Sequence, residues 1–193
     1  EANEYSKKEQ IRARRAFYAQ CTQIDYQIRL LIGTLRECGE LDNTILLFVS
    51  DHGDQLFRHN MLGKRLFYEE SSRVPLIISG NPIMKWKNTV QKKLACLEDI
   101  MPTLLDLCGI PIPETSEGIS LISGREHPYL YGEIGEGTKA SRMIRWKDYK
   151  LIYYPYGNKF QLFNLEKDAA ETHDCIGEPI YKEVVTTMKQ YLK

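Results

Sequence analysis

Ile45-Leu46-Leu47-Phe48-Val49 is the longest clean apolar run in the chain, and Ser50-Asp51-His52-Gly53-Asp54 follows it at once. With no polar residue alternating through it, the run predicts a strand over Thr44–Ser50 that is apolar on both faces. Such a strand belongs in the middle of a parallel sheet with helices on either side. Val74-Pro75-Leu76-Ile77-Ile78-Ser79 reads the same way, with Pro75 near its start, where a missing N–H is tolerated, and Gly80-Asn81-Pro82 as its end. The run is far short of the roughly 20 residues that cross a bilayer, so no membrane span is expected.

Helical spacing flanks these strands. Phe17, Cys21, Ile24, Ile28, Leu31, Leu35 and Cys38 recur at steps of four and three, predicting a helix from Lys7 to Cys38 with one apolar face and Gly39 as its stop. Leu97, Ile100, Met101, Leu104, Leu105 and Cys108 predict a second apolar face on a helix over Leu94–Cys108, stopped by Gly109. After Ile110 the composition changes: Pro111, Pro113, Gly118 and Gly124 break up a linker-like stretch. Tyr129–Ile134, Ser141–Trp146, Tyr149–Tyr154 and Phe160–Leu165 then read as short aromatic-rich strands, and Pro179 opens a last helix over Ile180–Leu192. The expected class is α/β. A partial doubly wound, mostly parallel sheet with flanking helices takes residues 1–125, and a small antiparallel β subdomain with a C-terminal helix takes residues 126–193.

Charge excludes one class of partner. The 26 Lys and Arg balance the 26 Asp and Glu, which leaves no electrostatic footprint for nucleic acid. The five cysteines are odd in number, widely spaced and without a Cys-x-x-Cys pair or a histidine at ligand spacing, which argues against a disulfide framework or a zinc site. Cys21 and Cys38 fall on the apolar stripe and are expected to be buried, inert thiols. Unpaired thiols slightly favour the reducing cytoplasm over the periplasm or the outside of the cell.

The chemistry is concentrated after the first strand. Asp51 and His52 stand at its carboxyl end, the edge at which open α/β sheets hold ligands. A carboxylate beside an imidazole suits a divalent cation, and Gly53 allows a sharp turn; spacing alone equally allows an acidic turn that caps a strand. Lys64, thirteen positions after Asp51, would offer a compact positive charge to an oxyanion if it returned to the same edge, or is simply a solvated lysine. His59, between them, is a second catalytic candidate as a proton carrier, against the plainer reading that it fixes the loop. Tyr68, Glu69, Glu70 and Arg73 read as loop anchors, and His127 and His173 receive no role.

Asp42-Asn43-Thr44-Ile45, Ser50-Asp51-His52-Gly53-Asp54, Leu62-Gly63-Lys64, Tyr68-Glu69-Glu70-Ser71 and Arg73-Val74-Pro75-Leu76-Ile77, taken together, resemble the C-terminal half of a type I sulfatase. The parent group is the alkaline-phosphatase-like superfamily, which includes phosphonate monoester hydrolases. Asp99-Ile100-Met101-Pro102-Thr103-Leu104-Leu105-Asp106, Tyr149-Lys150-Leu151-Ile152 and Leu162-Phe163-Asn164-Leu165 extend the resemblance over nearly the whole chain. It implies that Asp51 and His52 are ligands of a divalent metal, Ca2+ first, with Mn2+, Mg2+ or Zn2+ as alternatives. It also implies that Lys64 contacts the oxygens of a sulfate ester carried by a small molecule or a glycan.

One part of that pattern is missing. Such enzymes attack sulfur with a formylglycine made in a Cys-x-Pro-Ser-Arg frame, and none of Cys21, Cys38, Cys96, Cys108 and Cys175 stands in one. The chain, which opens on Glu1, is therefore expected to be a portion of a longer enzyme, inactive alone, with an exposed apolar face that a second copy or a companion N-terminal fragment would cover. A phosphodiester or phosphonate substrate, and a non-catalytic scaffold, are the other readings.

Overall fold

The computed structural model describes residues 5–80 and 88–192, so Asn81 and Pro82, expected to end the second strand, lie outside the described residues. The chain divides into two units, Glu1–Lys64 with Arg73–Val90, and Arg65–Ser72 with Gln91–Lys193. The class is α/β, as expected, with helices and two antiparallel sheets. No helix among the described residues is long and apolar enough to cross a membrane.

In the first unit, helix α1 spans Lys7–Glu37. Ser6 caps it: its Oγ accepts the Glu9 N–H at 3.3 Å while Glu9 Oε2 accepts the Ser6 N–H at 2.8 Å, which satisfies two otherwise unpaired donors. Cys38 and then Gly39, at φ +74°, close it. The predicted spacing is present but its burial is not. No residue of α1 is buried, and Ile24 and Leu31 are more than half exposed. Cys21 and Cys38 are likewise exposed, which corrects their reading as buried thiols. Spacing creates a stripe locally, whereas burial needs a second surface, and no described element of this unit supplies one.

Strands β1, Leu46–Val49, and β2, Leu76–Ser79, pair antiparallel, Leu46 opposite Ser79 and Val49 opposite Leu76. Their sense differs from the mostly parallel arrangement expected. Parallel neighbours need a crossover of a dozen or more residues, usually helical, to return the chain to its starting end. The link from Ser50 to Pro75 carries only a turn at Arg58–Asn60 and the four-residue helix α2, Glu69–Ser72, so the chain comes back running the other way. Phe48 and Ile77, opposite each other in the ladder, are 40% and 57% exposed, so one apolar face of this pair is uncovered rather than sandwiched.

The second unit holds helix α3, Ile100–Leu107, the meander β3 (Leu130–Ile134), β4 (Ser141–Trp146), β5 (Tyr149–Tyr154) and β6 (Lys159–Asn164), and helix α4, Lys182–Gln190. Each strand pairs with the next. Ile144, Leu151 and Leu162 align across β4, β5 and β6 on one face and pack with Tyr181 and Met188 at α4. The strap Arg65–Ser72 covers the other face. The Tyr68 ring packs tilted against Phe163 at 5.8 Å, and the Phe67 ring fills the space that Gly132 leaves for want of a side chain.

The buried side of α3 is not the apolar stripe read from spacing. Leu97 and Met101 are exposed, while Asp99, Pro102 and Thr103 are buried. The loop that follows is clamped there through hydrogen bonds: Asp99 Oδ1 accepts the Ile119 N–H at 2.8 Å and Thr103 Oγ1 accepts the Leu121 N–H at 2.9 Å. Gly118 passes so close that a Cβ would collide with the Glu98 carbonyl, a backbone atom that cannot swing aside. Gly118→Ala is expected to lower stability by about 1–3 kcal/mol, measured by urea denaturation. An unchanged midpoint would mean that the loop yields freely.

Candidate functional site

Asp51 and His52 leave β1 on a turn that their own polar groups hold. The Ser50 hydroxyl donates to the His52 carbonyl at 2.8 Å, and the His52 N–H donates to Asp51 Oδ1 at 2.9 Å. His52 Nδ1 lies 2.9 Å from the Gly53 carbonyl. A carbonyl only accepts, so Nδ1 carries the proton and the neutral ring keeps its lone pair on Nε2. Asp51 Oδ2 lies 3.3 Å from that nitrogen. The His52 N–H above all, helped by the Lys64 ammonium, holds the Asp51 carboxyl below the usual carboxylate range against the cost of desolvation.

The loop that follows folds back on itself. Gln55 N–H donates to the Gly63 carbonyl and Phe57 N–H to the Met61 carbonyl, both at 2.8 Å, while Asp54 Oδ1 accepts from Leu56 and Gly63. Arg14 Nε donates to the Leu56 carbonyl at 3.0 Å and Tyr5 packs edge-on against Phe57, which ties the loop to α1. Leu56, Phe57, His59 and Asn60 all take left-handed backbone to make so tight a return. Its result is that Lys64 Nζ meets His52 Nε2 directly. Asp51, His52 and Lys64 thus form one cluster within the first unit, although thirteen residues separate its ends. His59 is at the loop tip with φ +50°, apart from that cluster's contacts.

Asp51 Oδ2 and His52 Nε2 fit two corners of one cation. Their 3.3 Å separation is that of neighbouring donors on a metal with bonds of about 2.0–2.6 Å, and the carboxyl is held below its usual pKa range. Two donors do not complete a hard cation's shell, so further ligands have to come from elsewhere.

Other residues come forward that spacing had passed over. Gln55 is fully buried, and neither atom of its amide has a hydrogen-bond partner among the described residues. His127 and His173 do have acidic partners: His127 Nε2 lies 2.8 Å from Asp99 Oδ1, and His173 Nε2 lies 2.6 Å from Glu178 Oε1. The pairing of His127 spans 28 residues, beyond what local spacing reveals.

Comparison with known proteins follows the same lines. Residues 1–110 match the family profile described as sulfatase, and residues 58–193 that described as N-sulphoglucosamine sulphohydrolase, C-terminal. An arylsulfatase of Clostridium perfringens is 40% identical over 195 residues, covering 97% of this chain and 40% of that protein. A solved protein in complex with its substrate D-glucosamine-2-N,6-O-disulfate aligns at 28% identity with a TM-score of 0.73, over 88% of this chain and 37% of that one. A phosphonate monoester hydrolase of Agrobacterium radiobacter, 22% identical, shares the fold at a TM-score of 0.79 over 89% of this chain and 38% of its own. The chain spans 34–40% of the length of such curated relatives.

Proposed function

We propose that this chain, which belongs to the sulfatase family, supplies the cation-holding and anion-contacting residues of a sulfate-ester hydrolase whose nucleophile lies on a segment outside these 193 residues. The observation that carries this reading is the convergence of Asp51 Oδ2, His52 Nε2 and Lys64 Nζ at the end of β1. Asp51 and His52 would hold a divalent cation, Ca2+ first, with Mn2+, Mg2+ or Zn2+ as alternatives. When bound, that cation supplies Lewis-acid polarisation of the sulfate oxygens. Lys64 would contact a sulfate oxygen and offset the charge that builds there during transfer. Its contact with Nε2 uses the lone pair that a cation would take, so loading the site frees the ammonium for the anion. His59, at the loop tip, is assigned to fixing the loop.

Sulfate esters are the favoured substrates because the 40% identical relative is an arylsulfatase and a structural neighbour holds a sulfated glucosamine, whereas the phosphonate hydrolase shares only the fold. A formylglycine nucleophile suits this chemistry, and none of the five cysteines here stands in its frame. The uncovered stripe of α1 and the exposed Phe48–Ile77 face support a companion segment or a second copy that covers them.

The purified 193-residue chain is expected to release no measurable 4-nitrocatechol from its sulfate, with or without added Ca2+. The longer polypeptide carrying both the chain and a Cys-x-Pro-Ser-Arg segment is expected to do so, and to prefer the aryl sulfate over an aryl phosphonate ester. Turnover by the chain alone, or a preference for the phosphonate, would overturn this reading.

A further inference from the structure

Cys96 caps the short turn Leu97–Asp99 that leads into α3, Asp99 ends that turn and His127 lies on the approach to β3; their side chains meet in the second unit. His127 Nε2 lies 2.8 and 3.0 Å from the two Asp99 oxygens and 3.9 Å from Cys96 Sγ. Asp99 is fully buried, and the His127 side chain is 15% exposed. The backbone holds the carboxylate in place: Oδ1 accepts the Ile119 N–H at 2.8 Å and Oδ2 the Cys96 N–H at 3.0 Å. One thiol, one imidazole nitrogen and one carboxylate thus offer ligand atoms all within 4.8 Å of one another.

A cysteine nucleophile activated by histidine does not account for this arrangement. That relay needs the carboxylate on one ring nitrogen and the sulfur at the other, and here both face Nε2. Burial, then the negative charges of Asp99 and Glu98, push the Cys96 thiol up to about 12, so it is not a reactive thiolate.

We propose that Cys96, Asp99 and His127 form a binding site for a thiophilic divalent cation, of which Zn2+ is the natural occupant. Mixed sulfur, nitrogen and oxygen donors select Zn2+ or Co2+ over Ca2+ and Mg2+. A tetrahedral zinc with ordinary bond lengths separates sulfur from nitrogen by ~3.6 Å and nitrogen from oxygen by ~3.3 Å. The observed spacings need adjustments of only a few tenths of an ångström. Water takes the fourth corner. On binding, the Cys96 S–H releases its proton to solvent and the thiolate sulfur donates a lone pair to the metal, while the proton that His127 Nε2 shares with Asp99 is given up to solvent and Nδ1 carries the ring's one remaining proton, leaving Nε2 to ligate.

Co2+ titration of the purified chain, kept reduced without thiol reagents, tests this. One equivalent is expected to bring up a thiolate-to-cobalt charge-transfer band with the visible bands of tetrahedral cobalt, and Zn2+ is expected to bleach them. Cys96→Ser is expected to abolish the charge-transfer band. His127→Ala is expected to weaken Co2+ binding by about 10- to 100-fold or more. The band should persist when the exposed Cys21, Cys38 and Cys108 are changed together to serine, and in Asp51→Ala. Absence of a saturable band in the unaltered chain overturns the proposal whatever the variants do. So does a band that survives Cys96→Ser and disappears in Cys175→Ser, which would place the cation at His173, Cys175 and Glu178.

Discussion

Lys64→Ala in the longer, nucleophile-bearing enzyme is expected to lower kcat/KM for an aryl sulfate by about 100- to 1,000-fold, the usual cost of removing one preorganised donor from a developing oxyanion. The loop is closed by backbone pairs at Gln55–Gly63 and Phe57–Met61, none of which involves the Lys64 side chain. That side chain is exposed, so stability should change by less than about 0.5 kcal/mol and the loss is one of chemistry. The fall should lie mainly in kcat, because charge on the transferring group grows towards the transition state. Lys64→Arg keeps the charge but spreads it over a planar fork, and should recover only part of the rate. Steady-state kinetics with 4-nitrocatechol sulfate, run beside a melting curve, decides the matter. A full rate in Lys64→Ala would detach the amine from the chemistry.

Lys150→Met is expected to cost about 3–5 kcal/mol, the range for breaking a buried ion pair by removing one partner. The Lys150 side chain is 1% exposed and its ammonium reaches Glu69 Oε1 at 2.6 Å, Glu171 Oε1 at 2.8 Å and the Phe67 carbonyl at 2.7 Å. Glu171 Oε2 in turn accepts the Glu69 N–H at 2.5 Å, so one network fastens the strap Arg65–Ser72 to β5. Methionine fills the volume but leaves Glu171 buried without its counter-charge. Burial already pushes that carboxyl above its ordinary value, with Lys150 pulling it down; without the ammonium it rises further.

An acid whose folded pKa exceeds its unfolded one binds its proton more tightly when folded. The deficit of Lys150→Met should therefore be smallest below about pH 4, grow as pH rises towards the raised folded value, and level off above it. Glu171→Gln added to Lys150→Met should restore most of the loss at neutral pH. Urea denaturation of both variants at acid and neutral pH reads this out; a deficit that does not vary with pH would remove the charge from the explanation.

Local signals in the sequence located nearly every element. Ser141–Trp146 and Tyr149–Tyr154 stand where aromatic alternation and the Lys147-Asp148 turn put them, and α1 lies within a residue of its predicted ends. The cluster of Asp51, His52 and Lys64 was legible because a strand end and a short return loop are both local features. Three things were not legible. The sense of β1 against β2 depends on how a 26-residue link returns, which periodicity does not encode. The exposure of Cys21 depends on surfaces that the helix cannot specify by itself. The Phe67 partner of Lys150 and the Asp99 partner of His127 lie 83 and 28 residues away, where spacing carries no information.

The meander of the second unit has a kinetic consequence. Every strand from β3 to β6 pairs with its chain neighbour, so the sheet can assemble from hairpins that close in roughly microseconds. Docking the strap requires closing a loop of some eighty residues for the Lys150–Phe67 contact, an entropic cost met only once the sheet is there to receive it. The ammonium of Lys150 is thus among the last groups to shed water, and Lys150→Met should speed unfolding while leaving the refolding rate close to that of the parent.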